Sequence, residues 1–326
     1  MYASNHLCRF LSAIGFCLTA TLAQAAGMRP VDIPADANGP AIRGAIWYPC
    51  TEPAGEVRLD IFTWKDCPLL GDRLPLIVVS HGKGGNFAGH HDTDEMLADA
   101  GYIVAAISHP GDSSYDRSRS DDLSAFIERP QDIKRLIDFM LGASPFSAAI
   151  DRERVGFFGF SRGGYTGLVL TGANPDWDKA AALCQHSASN LCVQIIKKEY
   201  PAEPLTHDAR IKAAVIADPL AVVFAADSLA PVKVPVQLWA SERGGDGVLP
   251  HEVAAVDANL AAKHEYRVVS NSGHFAFLPP CPAELAKAAP EACTDAPGFD
   301  RAAFHREFNA AVTEFFQEHL VKAANQ

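Results

Sequence analysis

The chain has 326 residues, 48% of them hydrophobic and 21% charged, which is enough apolar material for one large core and gives no sign of global disorder. Its formal net charge is −11, and its densest basic cluster, Arg117 and Arg119, is interleaved with Asp116, Asp121 and Asp122. A nucleic-acid partner, which needs a basic stripe, is excluded.

The N-terminus carries Arg9, then an apolar run over 10–22 too short to span a bilayer, then Ala23-Gln24-Ala25. That order predicts a secretory signal over 1–25 and a mature chain over 26–326, periplasmic or secreted, with no stable membrane span. Removing the leader leaves six cysteines in three sequence-local couples: Cys50/Cys67, Cys184/Cys192 and Cys281/Cys293. With no C-x-x-C and an even count in an oxidising compartment, three local disulfides are expected.

Strands are predicted over 42–48 and 59–64, with Pro49 and Pro68 as breakers. Further strands follow over 76–80, 103–108, 155–160, 213–217, 236–240 and 266–270. Most of these runs are continuously apolar rather than alternating, as in parallel strands covered on both faces. Helical spacing falls between them. Residues 92–100 end at Gly101, a segment opens at Pro130 with Ile133, Leu136, Ile137 and Met140 on one face, and residues 165–170 form a short apolar helix. A last helix from about 302 places Phe304, Phe308 and Phe315 toward the core. Alternating strand and helix predicts a single domain with a mostly parallel doubly wound sheet. Residues 172–210 are too long for a tight connection and are expected to be a lid-like insertion.

Gly159-Phe160-Ser161-Arg162-Gly163 lies between a predicted strand and a predicted helix. This is the context in which G-x-S-x-G makes a nucleophile elbow of the α/β-hydrolase fold. The glycines matter because side chains at 159 and 163 would collide with the neighbouring strand and helix. A serine needs a base, and His274, in Ser272-Gly273-His274-Phe275 after the last strand, is placed to serve. For the acid the glycine-rich Gly244-Gly245-Asp246-Gly247 favours Asp246, with Asp218 after the preceding strand as the alternative and Glu242 third. Two backbone N–H groups should face the developing oxyanion. One is that of Arg162 and the other that of Lys83, in Ser80-His81-Gly82-Lys83-Gly84-Gly85. His90-His91-Asp92 is expected to be a solvated helix start rather than a metal site, because adjacent side chains do not converge.

Ser80-His81-Gly82, Gly159-x-Ser161-x-Gly163-Gly164, Gly273-His274-Phe275 and Pro297-Gly298-Phe299-Asp300-Arg301 together resemble the bacterial predicted dienelactone hydrolases, which are similar to secreted platelet-activating-factor acetylhydrolases. The resemblance runs from about 42 to 320. It implies an α/β-hydrolase fold, ester hydrolysis without a cofactor, a small-molecule ester as partner, and matching roles for Lys83, Ser161, Arg162 and His274. Two departures stand out. Dienelactone hydrolases proper use cysteine where this chain has Ser161, and the acetylhydrolases flank their serine with His and Phe where Phe160 and Arg162 stand here. The acetylhydrolases also take their acid from the strand that matches Asp218. Peptidase or acyl-transfer chemistry with the same residues remains the rival reading.

Overall fold

The computed structural model describes residues 26–51, 55–59 and 62–323; the expected leader over 1–25 lies outside them. Ten strands are found among these residues: β1 (Gly27–Ile33), β2 (Ile42–Tyr48), β3 (Gly55–Leu59), β4 (Phe62–Asp66), β5 (Leu74–Ser80), β6 (Ile103–Ser108), β7 (Ile150–Phe160), β8 (Ile211–Ala217), β9 (Val236–Ser241) and β10 (His264–Val269). They form one sheet in the order β10-β9-β8-β7-β5-β6-β2-β1-β4-β3. From β10 to β6 every pairing is parallel. From β6 through β2 and β1 to β3 every pairing is antiparallel. This is the α/β-hydrolase fold: a largely parallel sheet continued at one edge by antiparallel strands.

Ten α-helices accompany the sheet among the described residues: α1 (His91–Asp99), α2 (Ser124–Leu141), α3 (Arg162–Leu170), α4 (Trp177–Leu183), α5 (Asn190–Ile196), α6 (Ala226–Leu229), α7 (Pro250–Asn259), α8 (Ala283–Ala288), α9 (Pro290–Cys293) and α10 (Arg301–Phe316). Because strand side chains alternate, each central strand feeds two cores. Leu76 and Val78 of β5 join α2, α3 and α7 on one face, and Ile77 and Val79 join α1 and α10 on the other. Phe304, Phe308 and Phe315 fill the second core, as their spacing indicates. The chain leaves β5 toward β6 on one side and returns to β7 on the other, so the strand order reverses between β5 and β7. In open α/β sheets, ligands bind in the crevice beyond the carboxyl ends of the strands at such a point.

Three local readings need correction. The stretch predicted as one strand over 59–64 is a hairpin, β3 with β4. β1, whose Arg29, Pro30 and Asp32 break any apolar run, was not predicted. The α2 helix begins at Ser124, six residues before Pro130, which lies inside it. Proline removes the N–H that would bond the carbonyl four residues back. Here that carbonyl belongs to Phe126, and the Tyr165 hydroxyl donates to it at 3.4 Å.

The 172–210 segment carries α4 and α5, each opened by a side-chain cap: Asp176 accepts from Lys179 N–H and Ser189 from Cys192 N–H. It is tied to its surroundings by Leu123 N–H to Gln194 Oε1 (2.8 Å), Asp176 N–H to the Val223 carbonyl (2.8 Å) and Lys179 Nζ to Glu252 (2.9 Å). Disulfides join Cys50 to Cys67, Cys184 to Cys192 and Cys281 to Cys293, with Cα–Cα distances of 5.7, 5.0 and 5.7 Å. Non-reducing peptide mapping should return these three links; a peptide joining Cys67 to Cys184 would contradict the fold. No helix among the described residues is long and apolar enough to cross a membrane.

Candidate active site

Ser161 caps the N-terminus of α3 with φ 57° and ψ −118°, backbone space that an L-residue enters only under constraint. The constraint is visible on three sides. Ser161 N–H donates to the Ala217 carbonyl (2.9 Å), and the Ser161 carbonyl accepts from Tyr165 and Leu220 N–H (both 3.0 Å). Gly163 packs so closely on β5 that a Cβ there would lie 1.9 Å from the Ser80 carbonyl oxygen. Only glycine lets the elbow close.

His274 lies beside it, with Nε2 2.9 Å from Ser161 Oγ. On the other side of the ring, Nδ1 is 2.7 Å from Oδ2 of Asp218, not of Asp246. Asp218 is fully buried, and Ser241 orients its carboxylate through N–H to Oδ1 and Oγ–H to Oδ2, both 2.8 Å. The reading of Asp246 as the acid is thus corrected. Asp246 is solvent-exposed. The glycines around it do have a positional duty, but of another kind. Gly244 carbonyl accepts from His274 N–H (2.8 Å), and a Cβ on Gly245 would press within 3.3 Å of His274 Cβ. The loop carries the histidine's backbone and leaves its ring to Asp218. Glu242 points elsewhere, accepting from Asn271 N–H.

The Phe160 ring stacks on the imidazole at 4.6 Å between centroids. A cavity of about 170 Å³ opens beside His274, lined by Phe275, the Gly244–Gly245 backbone and residues 294–296. Gly82 comes close to the serine: a Cβ there would lie 3.3 Å from Ser161 Cβ. Lys83, next along, is placed by this loop, and its ammonium turns outward to Asp121 at 2.5 Å. Arg162 N–H stands at the head of α3, among the helix donors that lack intrahelical acceptors.

Beneath the 81–84 loop lies a buried charge cluster that sequence reasoning missed. Arg129 donates to Asp112 Oδ2 (2.9 Å) and to the carbonyls of His81 (2.6 Å) and Gly82 (3.1 Å). Arg162 Nη1 donates to the same Asp112 oxygen (2.7 Å) and to the Ser120 carbonyl (2.8 Å). Asp112 Oδ1 accepts from Gly84 N–H at 3.2 Å. Burial opposes charge on Asp112, but Arg129 and Arg162 outweigh it and hold the carboxyl well below the usual range. Burial, helped by the like charge of Arg162 and opposed by Asp112, brings Arg129 down to about 10. The available signal was the helical spacing of Arg129, Asp132 and Arg135 on the same face of α2 as Ile133, Leu136 and Met140.

A second Ser–His–Asp chain runs nearby. His109 Nε2 is 2.9 Å from Ser80 Oγ, and its Nδ1 is 3.0 Å from Asp132 Oδ2. Ser80 and His109 are completely enclosed, and Ser80 is an ordinary strand residue paired with Gly159. This chain bonds the end of β5 to α2. Burial pushes Asp132 up to about 7, against the pull of Arg135 and Arg129, and drives His109 well below its ordinary value. A carboxyl raised above its unfolded value of about 3.9 stabilises the fold fully below that pH and loses the contribution as pH rises through about 7. Asp132→Asn keeps a neutral side chain. Its Tm relative to wild type should therefore climb between pH 4 and 8, and a constant difference would refute the assignment.

The His90–Asp92 run is likewise not a solvated helix start. His90 is buried against the rings of Phe158 and Phe160. Asp92 Oδ2 bonds His305 Nδ1 at 2.6 Å, and His305 Nε2 meets the Ala276 carbonyl at 2.9 Å in the turn that follows His274.

No family model matches the sequence. No curated protein matches it either. Among solved structures, a ferulic acid esterase from Streptomyces cinnamoneus superposes with a TM-score of 0.61 at 18% identity, covering 93% of this chain and 91% of its own. At that identity the likeness is one of fold.

Proposed function

We propose that the protein is an exported serine hydrolase that cleaves carboxylic esters through an acyl-enzyme. The observation that carries this reading is the hydrogen-bonded series Ser161 Oγ, His274 Nε2, His274 Nδ1, Asp218 Oδ2 at 2.9 and 2.7 Å, placed at the switch point of the sheet. A serine hydroxyl is a weak nucleophile unless a base takes its proton, and the base must itself be oriented by a third group.

In this mechanism Ser161 Oγ attacks the ester carbonyl carbon while His274 Nε2 takes its proton. The tetrahedral oxyanion lies against the N–H groups of Arg162 and Lys83 at the carboxyl end of β5. The C–O bond to the alcohol breaks as His274 returns the proton to the leaving oxygen. A water then attacks the acyl-enzyme, with His274 again as base, releasing the acid and free Ser161. Asp218 holds the imidazole in the Nδ1–H tautomer and balances the imidazolium that forms.

Support for esters comes from the fold shared with the ferulic acid esterase, and from the resemblance of the motifs around Ser80, Ser161 and His274 to those of predicted dienelactone hydrolases. Export is supported by the three disulfides and by the leader-like N-terminus. A fluorophosphonate probe on the mature protein tests the chemistry. The expected adduct is a single one on the peptide bearing Ser161, with p-nitrophenyl esters turned over and peptide anilides left intact. An adduct on another serine, or anilide cleavage exceeding ester cleavage, would overturn the reading.

A further inference from the structure

We infer that the Arg162 side chain, acting through Asp112, is a positioning device that locks the two halves of the oxyanion site together; the inference rests on the serine-esterase reading above. The two halves come from distant parts of the chain, the β5 loop over 81–84 and the head of α3. Strand pairing joins them only as far as Ser80 and Gly159, and Gly163 rests on the Ser80 carbonyl; the loop beyond needs a further tie to the helix head. A single carboxylate supplies it.

Asp112 Oδ1 accepts from Gly84 N–H, on the loop side, and Asp112 Oδ2 accepts from Arg162 Nη1, on the nucleophile side. Arg129 completes the arrangement from below by binding Asp112 Oδ2 and both carbonyls at 81 and 82. A peptide whose carbonyl is drawn down to a buried guanidinium turns its N–H the other way. Drawing in the Gly82 carbonyl therefore directs the N–H of Lys83 upward, toward the space above Ser161. The same residue that offers its N–H at the head of α3 thus reaches back with its side chain to the loop that offers the other. The Arg162 guanidinium is further fixed by the Phe126 ring, 4.7 Å from its carbon, and its side chain is 5% exposed.

Oxyanion contacts act on the transition state more than on the bound ester, so a loosened hole lowers kcat and spares KM. Arg162→Met should cut kcat by about 10- to 100-fold, less than deletion of a donor outright, with KM within about threefold. A trifluoromethyl ketone supplies the second readout. Ser161 Oγ bonds its carbonyl carbon, the proton passes to His274, and the hemiketal oxyanion occupies the same hole. Its affinity should fall in step with kcat, and Arg162→Lys, which keeps a cation beside Asp112, should recover part of both. Should Arg162→Met fail to fold, Asp112→Asn/Arg162→Met keeps the cluster's net charge and should show the same loss. Wild-type kcat in a folded Met variant, a loss confined to KM, or Lys performing no better than Met would overturn the coupling. Wild-type protein that neither hydrolyses esters nor reacts with fluorophosphonate would instead overturn the esterase reading itself, whatever Arg162 does.

Discussion

Ser161→Ala is expected to lower kcat for ester hydrolysis about 10⁶-fold and to abolish fluorophosphonate labelling. The remaining catalysis, about 10³- to 10⁴-fold over water, would come from the oxyanion donors and substrate binding, which the substitution leaves in place. The backbone at 161 makes a paired variant informative. With φ at 57° and ψ at −118°, alanine keeps the strain of the elbow and loses only the bond to His274. Glycine at the same position enters this region freely and should be about 1 kcal/mol more stable than the alanine variant despite being equally inactive. Urea midpoints compare the two variants and kcat compares each with wild type. Turnover by Ser161→Ala within tenfold of wild type would exclude Ser161 as the nucleophile.

Asp218→Asn should lose about 10⁴-fold in kcat, whereas Asp246→Asn should stay near wild type. The argument is one of hydrogen-bond polarity. Ser241 N–H requires an acceptor at the Oδ1 position of residue 218. An asparagine there must therefore place its carbonyl oxygen toward Ser241 and its NH₂ toward His274. Facing a donor, imidazole Nδ1 must accept, which puts the ring proton on Nε2, where it blocks removal of the Ser161 proton. The geometry survives and the tautomer is wrong. Both variants should be measured in protein whose circular dichroism matches wild type. A larger loss at Asp246 would return the acid to the glycine loop.

Which parts of this were legible in the sequence follows from what sets each feature. The strands β5 through β9 are legible because burial on both faces demands apolar runs; β10, at the sheet's end with the sequence HEYRVV and no buried residue, carries a weaker signal. The turns that bring Ser161 and His274 together are legible because both are local: the glycines flanking each are within two residues. The carboxylate that meets the His274 ring is not local. Asp246 and Asp218 both follow strands, and choosing between them requires knowing which carboxylate the His274 ring faces once β8, β9 and β10 are side by side. β1 was missed because it lies in the antiparallel part of the sheet, between β2 and β4, where Arg29, Pro30 and Asp32 interrupt any apolar run. Pro130 misled because the Phe126 carbonyl, which it leaves without an intrahelical donor, is reached by the Tyr165 hydroxyl from a separate helix. Asp112 and Arg129 gave the weakest signal, since a buried charge is recognised only once its partners are known.

The way Ser161 is held has a consequence for how the protein fails. Its main chain touches Ala217 at the end of β8 and Leu220 beyond it, and Gly163 rests on Ser80 at the end of β5. Contacts that far apart in sequence exist only when β5, β7 and β8 are in register. An expanded state that kept its helices and strands but let the sheet breathe would relax residue 161 into ordinary backbone space and pull Oγ away from the imidazole. Catalysis should therefore vanish early on a denaturation curve, ahead of the far-ultraviolet signal and in step with loss of fixed tertiary packing. Loss of turnover would then report loss of sheet registry before loss of secondary structure.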